Sequence, residues 1–179
     1  MARPPPTSRP YISGRRKDCK SHRIGSGQTR WDANDLRGDD NDHFAALGAR
    51  SQLARDTAAV GDLPLSRVLV SRDGGYPWLI LVPRRPGAVE LIDLPDADQA
   101  QVMREIAQVG RVLKAMTACD KLNIAAIGNV VAQLHIHVVA RRRDDAAWPK
   151  PIWGAGPARA YAPDVLDQFI ATLRRDLNL

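Results

Sequence analysis

Cysteines, long apolar runs and a leader segment are scarce or absent in this chain of 179 residues. No apolar run of about 18 residues occurs, so we expect no transmembrane helix and no membrane partner. The opening residues, Met-Ala-Arg-Pro-Pro-Pro, lack the apolar stretch of a secretory signal, so secretion is not expected. The two cysteines, Cys19 and Cys119, lack metal-ligand spacing, and Cys119 lies in an apolar helical stretch that predicts a buried free thiol. Together these features predict a cytoplasmic protein.

The net charge of +6 is concentrated at the N-terminus. Residues 1–31 contain eight Lys or Arg and one acidic residue, whereas the rest of the chain carries a net charge of −1. Residues 1–42 are also rich in Pro, Gly and Ser and show no apolar periodicity, which predicts a disordered basic extension. A basic arm can bind nucleic acid, but a solvated extension is the commoner case, and we expect no nucleic-acid contact here. The folded domain should span residues 43–179.

Residues 43–179 show helical and strand periodicities in turn. The second of three predicted helices should be N-capped by Asp96, with Gln99 as its capping-box partner. Antiparallel hairpins with helices packed on one face make an α+β domain. The predicted helices are His43–Thr57, Asp96–Cys119 and a last one from Pro163, and the predicted strands are Arg67–Ser71, Tyr76–Pro83, Leu122–Ile127 and Val130–Arg141.

A row of polar side chains interrupts the last of these strands. Gln133, His135 and His137 alternate with apolar residues, and the period of two in a strand places the three on one face. The residues between them should point into the core. Two imidazoles and an amide on a buried strand, followed by the arginines of residues 141–143, require a functional explanation.

Four explanations compete for this row. The histidines could be structural, satisfied by buried hydrogen bonds. They could bind a metal, but no Cys, Asp or Glu follows until Asp144, and the adjacent arginines oppose a cation, so we expect no metal site. One imidazole could attack a phosphoryl group while the second protonates the leaving oxygen and Arg141 stabilises the phosphate charge. Lastly, the same pocket could bind a nucleotide without turnover.

The motif Gln133-x-His135-x-His137-Val-Val resembles the histidine triad (HIT) signature, His-φ-His-φ-His-φ-φ, with Gln in the first place. The segments RVLVSRDGGYPWLILVPRRPG, LNIAAIGNVVAQLHIHVVAR and WPKPIWG are also similar to bacterial members of that superfamily, so the resemblance covers residues 43–179. It implies an antiparallel sheet of about five strands with helices packed on it, and a chain that forms a homodimer.

The resemblance also implies an activity. Family members hydrolyse or transfer at the α-phosphate of a purine nucleotide conjugate, such as a phosphoramidate or a dinucleoside polyphosphate, through a nucleotidyl-histidine intermediate. His135 then corresponds to the nucleophile and His137 to the residue that contacts the phosphate and the leaving group. Asn123 corresponds to a residue that holds the phosphates, and Asp73 to one that binds the ribose hydroxyls. No resident cofactor is expected, although a divalent metal could arrive with the substrate phosphates.

Gln133 is the departure from the family pattern. In the family, a backbone carbonyl at the first motif position orients the nucleophilic histidine, and a glutamine still supplies that carbonyl. What is lost is a titratable group near the phosphate. Gln133 is therefore expected to change the rate and the substrate preference more than the reaction class. A nucleotide-binding module without turnover remains the alternative.

Overall fold

A five-stranded antiparallel sheet lies at the centre of the computed structural model, which describes residues 52–179. Every neighbouring pair of strands is antiparallel, and the spatial order is β1-β2-β3-β5-β4. The predicted sheet of about five antiparallel strands is therefore confirmed. The strands are β1 (Thr57–Asp62), β2 (Ser66–Ser71), β3 (Trp78–Pro83), β4 (Lys121–Ala125) and β5 (Ile136–Arg141).

Helices pack on this sheet, which confirms the predicted α+β class. They are α1 (Gln52–Asp56), a 3-10 helix (Leu91–Asp93), α2 (Asp96–Thr117) and α3 (Val165–Leu177). Helix α2 contacts β3, β5 and α3, and α3 also contacts β1. Among residues 52–179, no helix is both long enough and apolar enough to cross a membrane.

The sheet face beneath α2 and α3 holds the main hydrophobic core. The strand alternation sends Leu134, Ile136 and Val138 into this core, and each is at most 2% exposed. Cys119 lies in the same core as a free thiol, as predicted. A slip of one residue would turn this apolar set out of the core, so the packing fixes which face carries the histidines. Helix α2 contributes a stripe at helical spacing: Val102, Ile106, Val109 and Leu113.

A buried carboxylate ties α2 to the turn between β1 and β2. Glu105 is 1% exposed, and its two oxygens accept hydrogen bonds from the backbone N–H groups of Leu65 (2.7 Å) and Ser66 (2.9 Å). The side chain of Gln101 donates to the same carboxylate over 3.0 Å. Glu105 thus satisfies two buried backbone donors that the sheet does not pair.

The sequence did not reveal strand β1. Residues 43–51 of the predicted helix His43–Thr57 lie outside the described part of the chain, residues 52–56 are helical as α1, and Thr57 already begins β1. Strand β1 pairs with β2, and its register shifts between Ala59 and Gly61. Such a bulge breaks the period of two, so the alternation that identifies a strand is missing from the sequence.

The predicted strand Val130–Arg141 is wrong in its first half, because β5 begins only at Ile136. Pairing between β3 and β5 stops at Leu81 and Ile136, and β4 ends at Ala125 rather than at Ile127. Residues 126–135 therefore form a loop, with a positive φ of 65° at Gly128. Gln133 and His135 lie in that loop and not in the strand.

The remaining differences concern the ends of elements. The N-cap of α2 is Pro95 and not Asp96, and the side chain of Gln99 donates to the carbonyl of Leu94 over 2.8 Å instead of closing a capping box. The last helix begins at Val165, two residues after the proline that was expected to start it. β3 likewise begins at Trp78 and not at Tyr76.

Candidate functional site

The two imidazoles lie at the start of β5, on the sheet face opposite α2. His137 pairs with Ile80 of β3 and Ala125 of β4, so it sits between two strands. His135 precedes the strand, and the neighbouring Leu134 anchors this loop because its N–H donates to the carbonyl of Ala88 over 2.9 Å. Each imidazole is only 7% exposed, and the ring centroids are 4.9 Å apart with an interplanar angle of 87°. The site is therefore a close, nearly perpendicular pair of buried imidazoles.

A backbone carbonyl orients His135. Its Nδ1 lies 2.6 Å from the carbonyl oxygen of Gln133. A carbonyl only accepts, so Nδ1 carries the ring proton and, in the neutral imidazole, Nε2 carries the lone pair. That Nε2 makes no hydrogen bond with any described residue. His135 thus presents a ring nitrogen whose lone pair is unpaired among the described residues.

An indole orients His137 in the opposite sense. Nε1 of Trp78 donates to Nδ1 of His137 over 3.0 Å, and an indole N–H can only donate. Nδ1 therefore carries the lone pair and the ring proton sits on Nε2. Burial, and then the neighbouring His135, lowers the pKa of His137 from 6.5 to about 4, so this imidazole is neutral at pH 7. His137 therefore offers the N–H of Nε2 as a hydrogen-bond donor. In the free protein at pH 7 it is a neutral imidazole and not a charged acid.

Sequence reasoning missed Trp78. In the sheet register, Ile80 lies opposite His137, which places Trp78 diagonally across from it on the same face. Trp153, from the loop after β5, closes the other side of the imidazole, with ring centroids 5.5 Å apart. The only signal in the sequence was an aromatic residue at the start of a buried strand.

A cavity of about 240 Å³ opens beside the two imidazoles. It combines largely apolar walls with a few polar groups, which is the usual composition of a small-molecule site. The polar residues that line it include Asp56, Thr57 and Ser71. The apolar walls are formed by Leu53, Trp78, Ile80, Ile127, Val130, Val131 and Trp153.

The structure places Arg141 outside this cavity. Its side chain is 1% exposed, and it binds both carboxylate oxygens of Asp145 at 2.7 and 2.9 Å. The hydrogen bond from this guanidinium holds the pKa of Asp145 below its ordinary value, and the same bond raises the pKa of Arg141. Arg141 therefore does not line this cavity, and its positive charge is paired with Asp145. Direct contact between Arg141 and a phosphate stays a prediction.

Asn123 is held by the same arginine, whose Nη1 donates to Asn123 Oδ1 over 2.7 Å. That bond leaves the amide Nδ2 of Asn123 as a free donor among the described residues. Asn123 lines a second depression, next to the cavity and sharing Trp153 with it. It therefore lies near the imidazole pair but not in the same pocket.

Asp73 does not line the cavity either. Its Oδ1 accepts from the backbone N–H groups of Gly75 (2.8 Å) and Arg159 (2.9 Å), which fixes the β2–β3 turn against the C-terminal loop. Asp56 and Ser71 line the cavity instead. Asp56 was missed because its segment was predicted as part of a longer helix.

Two buried donors near this site have no partner within the described part of the chain: Gln133 Nε2 and Trp153 Nε1. Buried donors are normally satisfied, so a ligand or an ordered water is the expected partner. Among residues 52–179, no three His, Cys, Asp or Glu side chains lie together in a way that could hold a metal ion.

Comparisons with known proteins agree with this arrangement. The sequence profile of the HIT domain matches residues 52–144. A histidine triad protein from Bradyrhizobium japonicum is 57% identical, with 71% of this chain and 95% of that chain covered and a TM-score of 0.69. Histidine triad proteins from Sinorhizobium meliloti (40% identical, 70% and 93% covered, TM-score 0.68) and Marinobacter aquaeolei (37% identical, 71% and 93% covered, TM-score 0.69) are also similar.

No curated protein matches the chain significantly in sequence. The HIT profile nevertheless covers more than half of the chain, and the solved relatives share its fold over nearly their whole length. On these grounds, the chain belongs to the HIT domain family.

Proposed function

We propose that this protein is a nucleotide hydrolase or nucleotidyl transferase that acts at the α-phosphate of a purine nucleotide conjugate. The observation that carries the proposal is the 2.6 Å contact between His135 Nδ1 and the carbonyl of Gln133. It fixes the tautomer in which Nε2 bears the lone pair, which is the form an imidazole needs to attack phosphorus. The carbonyl is present although the first motif position is a glutamine.

The reaction has two displacements at phosphorus. His135 Nε2 forms a bond to the α-phosphorus, and the bond to the leaving group breaks with its electron pair staying on that group. Water then attacks the same phosphorus and loses a proton to solvent, and the N–P bond breaks with its electron pair returning to Nε2. The nucleoside monophosphate leaves; in transfer, another nucleophile takes the place of water. The proton on Nδ1 stays in place throughout, and the carbonyl of Gln133 stabilises the positive charge that the imidazole ring gains in the intermediate.

The nearby groups have roles that follow from their contacts. The Nε2–H of His137 donates to a phosphate or leaving-group oxygen. Asn123 donates from its free amide to a phosphate oxygen, with Arg141 acting through it as a positioning residue. For the ribose hydroxyls, Asp56 and Ser71 are better placed than Asp73, because they line the cavity. The purine ring occupies the apolar part of that cavity.

The test is turnover of diadenosine polyphosphates and adenosine phosphoramidate by the full chain, beside His135→Ala. Removing a nucleophile should lower kcat by at least about a thousandfold. Intact-mass analysis after a rapid acid-free quench should show one adenylyl group added to the parent and none to the variant. Arg142→Ala is the matched control and should keep the parent rate, because the Arg142 side chain is exposed and, within the described part of the chain, pairs only with exposed Asp144.

The alternative is a nucleotide-binding module without turnover. Gln133 favours it, because the first motif position lacks a titratable group and its Nε2 has no partner within the described residues. Nucleotide binding by calorimetry, with neither product nor adduct, would contradict the enzyme proposal and support this one.

The homodimer remains a prediction. Strand β4 is an edge of the sheet, and its Ile124 is 52% exposed, so a second copy could pair along it. Light scattering of the parent and of Ile124→Arg tests this, since a dimer formed along β4 should dissociate in the variant.

A further inference from the structure

We propose that Trp78 is a positioning residue that sets the tautomer of His137. Its indole N–H donates a hydrogen bond to Nδ1 of His137, so the ring proton of His137 stays on Nε2, where it can be donated in turn. The catalytic consequence rests on the proposed function, but the tautomer itself does not. In this arrangement His135 supplies one lone pair and His137 supplies one donor, from two imidazoles fixed in opposite tautomers.

The sheet and a second tryptophan hold Trp78 in place for this contact. Trp78 is the first residue of β3 and pairs with Val139, one step along the same face from His137. Its ring centroid lies 5.3 Å from that of His137, with an interplanar angle of 60°, so the indole edge reaches the imidazole. Trp153 packs edge-on against Trp78 with centroids 6.2 Å apart. The register of β3 on β5 and the packing of Trp153 thus hold the indole at hydrogen-bond distance (3.0 Å) from His137.

This bond opposes protonation of His137. An indole nitrogen has no acceptor, so adding a proton to Nδ1 would set two N–H donors against each other in a buried place. Burial, and then the electrostatic effect of the neighbouring His135, already lowers the pKa of His137 to about 4. Besides His137, the titratable groups that line the cavity among residues 52–179 are His135 from the loop before β5 and Asp56 from α1. A neutral His137 can stabilise an oxygen by donating a hydrogen bond, but it does not deliver a proton.

The neutral donor selects the leaving group. A polyphosphate leaves as an anion when its P–O bond breaks, because the electron pair stays on an oxygen that needs no proton. An amine leaving from a phosphoramidate needs a proton as its P–N bond breaks, and here solvent water must supply it. The site should therefore favour dinucleoside polyphosphates over nucleotide phosphoramidates.

The direct test is nuclear magnetic resonance of the full chain with ¹⁵N-labelled histidine, without ligand. In the parent, His137 Nδ1 should show the shift of a nitrogen with a lone pair and Nε2 that of a protonated nitrogen. In Trp78→Phe the two tautomers should mix and the pKa of His137 should rise. Trp153→Phe is the matched control: it replaces by a phenyl ring an indole that contacts His137 but makes no hydrogen bond to it, so the tautomer should stay.

Two results would overturn the assignment. One is a proton on Nδ1 of His137 in the parent, which needs no variant and so holds even if Trp78→Phe does not fold. The other is a folded Trp78→Phe in which the tautomer and pKa are those of the parent.

Kinetics then test the selectivity. For Trp78→Phe we expect kcat with diadenosine polyphosphate to fall about tenfold with little change in KM, and the preference over phosphoramidate to shrink. An unchanged preference in a variant with mixed tautomers would contradict the link to the leaving group. A parent with the expected tautomer and no turnover would instead contradict the proposed function and leave the role of Trp78 standing.

Discussion

Arg141 holds Asn123 by a hydrogen bond of 2.7 Å from its Nη1 to the amide oxygen, while its remaining nitrogens bind Asp145. One buried guanidinium thus joins β4, β5 and the loop that follows β5. The rings of Tyr76 and Trp148 lie 5.9 and 5.7 Å from its charged carbon, so aromatic faces complete its surroundings. The cluster orients the one amide that we expect to reach the phosphates.

Substituting Arg141→Met should lower the free energy of unfolding by about 3 kcal/mol, because it leaves the carboxylate of Asp145 largely buried without its partner. Urea denaturation at pH 7 measures this. Arg142→Ala breaks only an exposed ion pair and should cost less than about 1 kcal/mol. Equal losses in the two variants would show that burial of the Arg141 pair adds nothing.

The same pair predicts a loss of stability in acid. The pKa of Asp145 is held below its ordinary 3.8, chiefly by the hydrogen bond from Arg141, so the unfolded chain takes up this proton before the folded one. The contribution of the pair is fully present above about pH 5 and is lost as the pH falls below 3.8. Urea midpoints of the parent and of Arg141→Met should therefore converge as the pH falls from about 5 through 3.8. Parallel curves would contradict the assignment.

The lowered pKa of His137 predicts a loss of stability in a higher pH range. Its folded pKa is about 4 and its ordinary value 6.5, so between these values the unfolded chain binds more protons and stability falls as the pH falls. The shift corresponds to about 3 kcal/mol at pH 4 as an upper estimate. His137→Asn should remove this slope between pH 6.5 and 4, measured by denaturation at several pH values. A parent whose stability is flat over that range would show that burial does not hold the imidazole neutral.

Glu105→Gln should lower the free energy of unfolding by about 2 kcal/mol, because the amide NH₂ of glutamine would face one of the two backbone N–H donors at Leu65 and Ser66. Asp167→Asn, an exposed acid in the first turn of α3, should change it by less than about 1 kcal/mol. Thermal unfolding of the parent and the two variants measures this. Equal stability of Glu105→Gln and the parent would show that the Glu105 hydrogen bonds do not stabilise the fold.

Gln133→His should change kcat by less than about tenfold, because the contact to His135 comes from the main chain and either residue supplies it. Initial rates with diadenosine polyphosphate, beside His135→Ala, measure this. A gain of a hundredfold or more would show that the side chain at this position takes part in the chemistry.

Local patterns were enough to predict α2, β2 and most of β3. The stripe of Val102, Ile106 and Val109 and the paired apolar runs carry their periodicity within a few residues. The same reasoning placed the apolar and polar sides of β5 correctly. It missed β1, because a bulge removes the alternation that would have shown it.

The site was predictable where it is local and not where it depends on register. Gln133, His135 and His137 are close in sequence, and the structure keeps them together. Trp78 is 59 residues from its partner, and only the alignment of β3 on β5 brings it there. Arg141, predicted from the sequence as a phosphate ligand, forms an ion pair with Asp145 four residues further on, and its phosphate contact stays a prediction.

The late start of β5 has a consequence for the whole motif. A carbonyl inside a sheet is normally taken by a neighbouring strand. Because pairing to β3 and β4 begins only at residues 136 and 137, the carbonyl at position 133 is spared from the ladder and can hold His135. The orientation of His135 therefore depends on where the sheet stops. An extension of the sheet by a few residues would take away its carbonyl partner without changing any side chain.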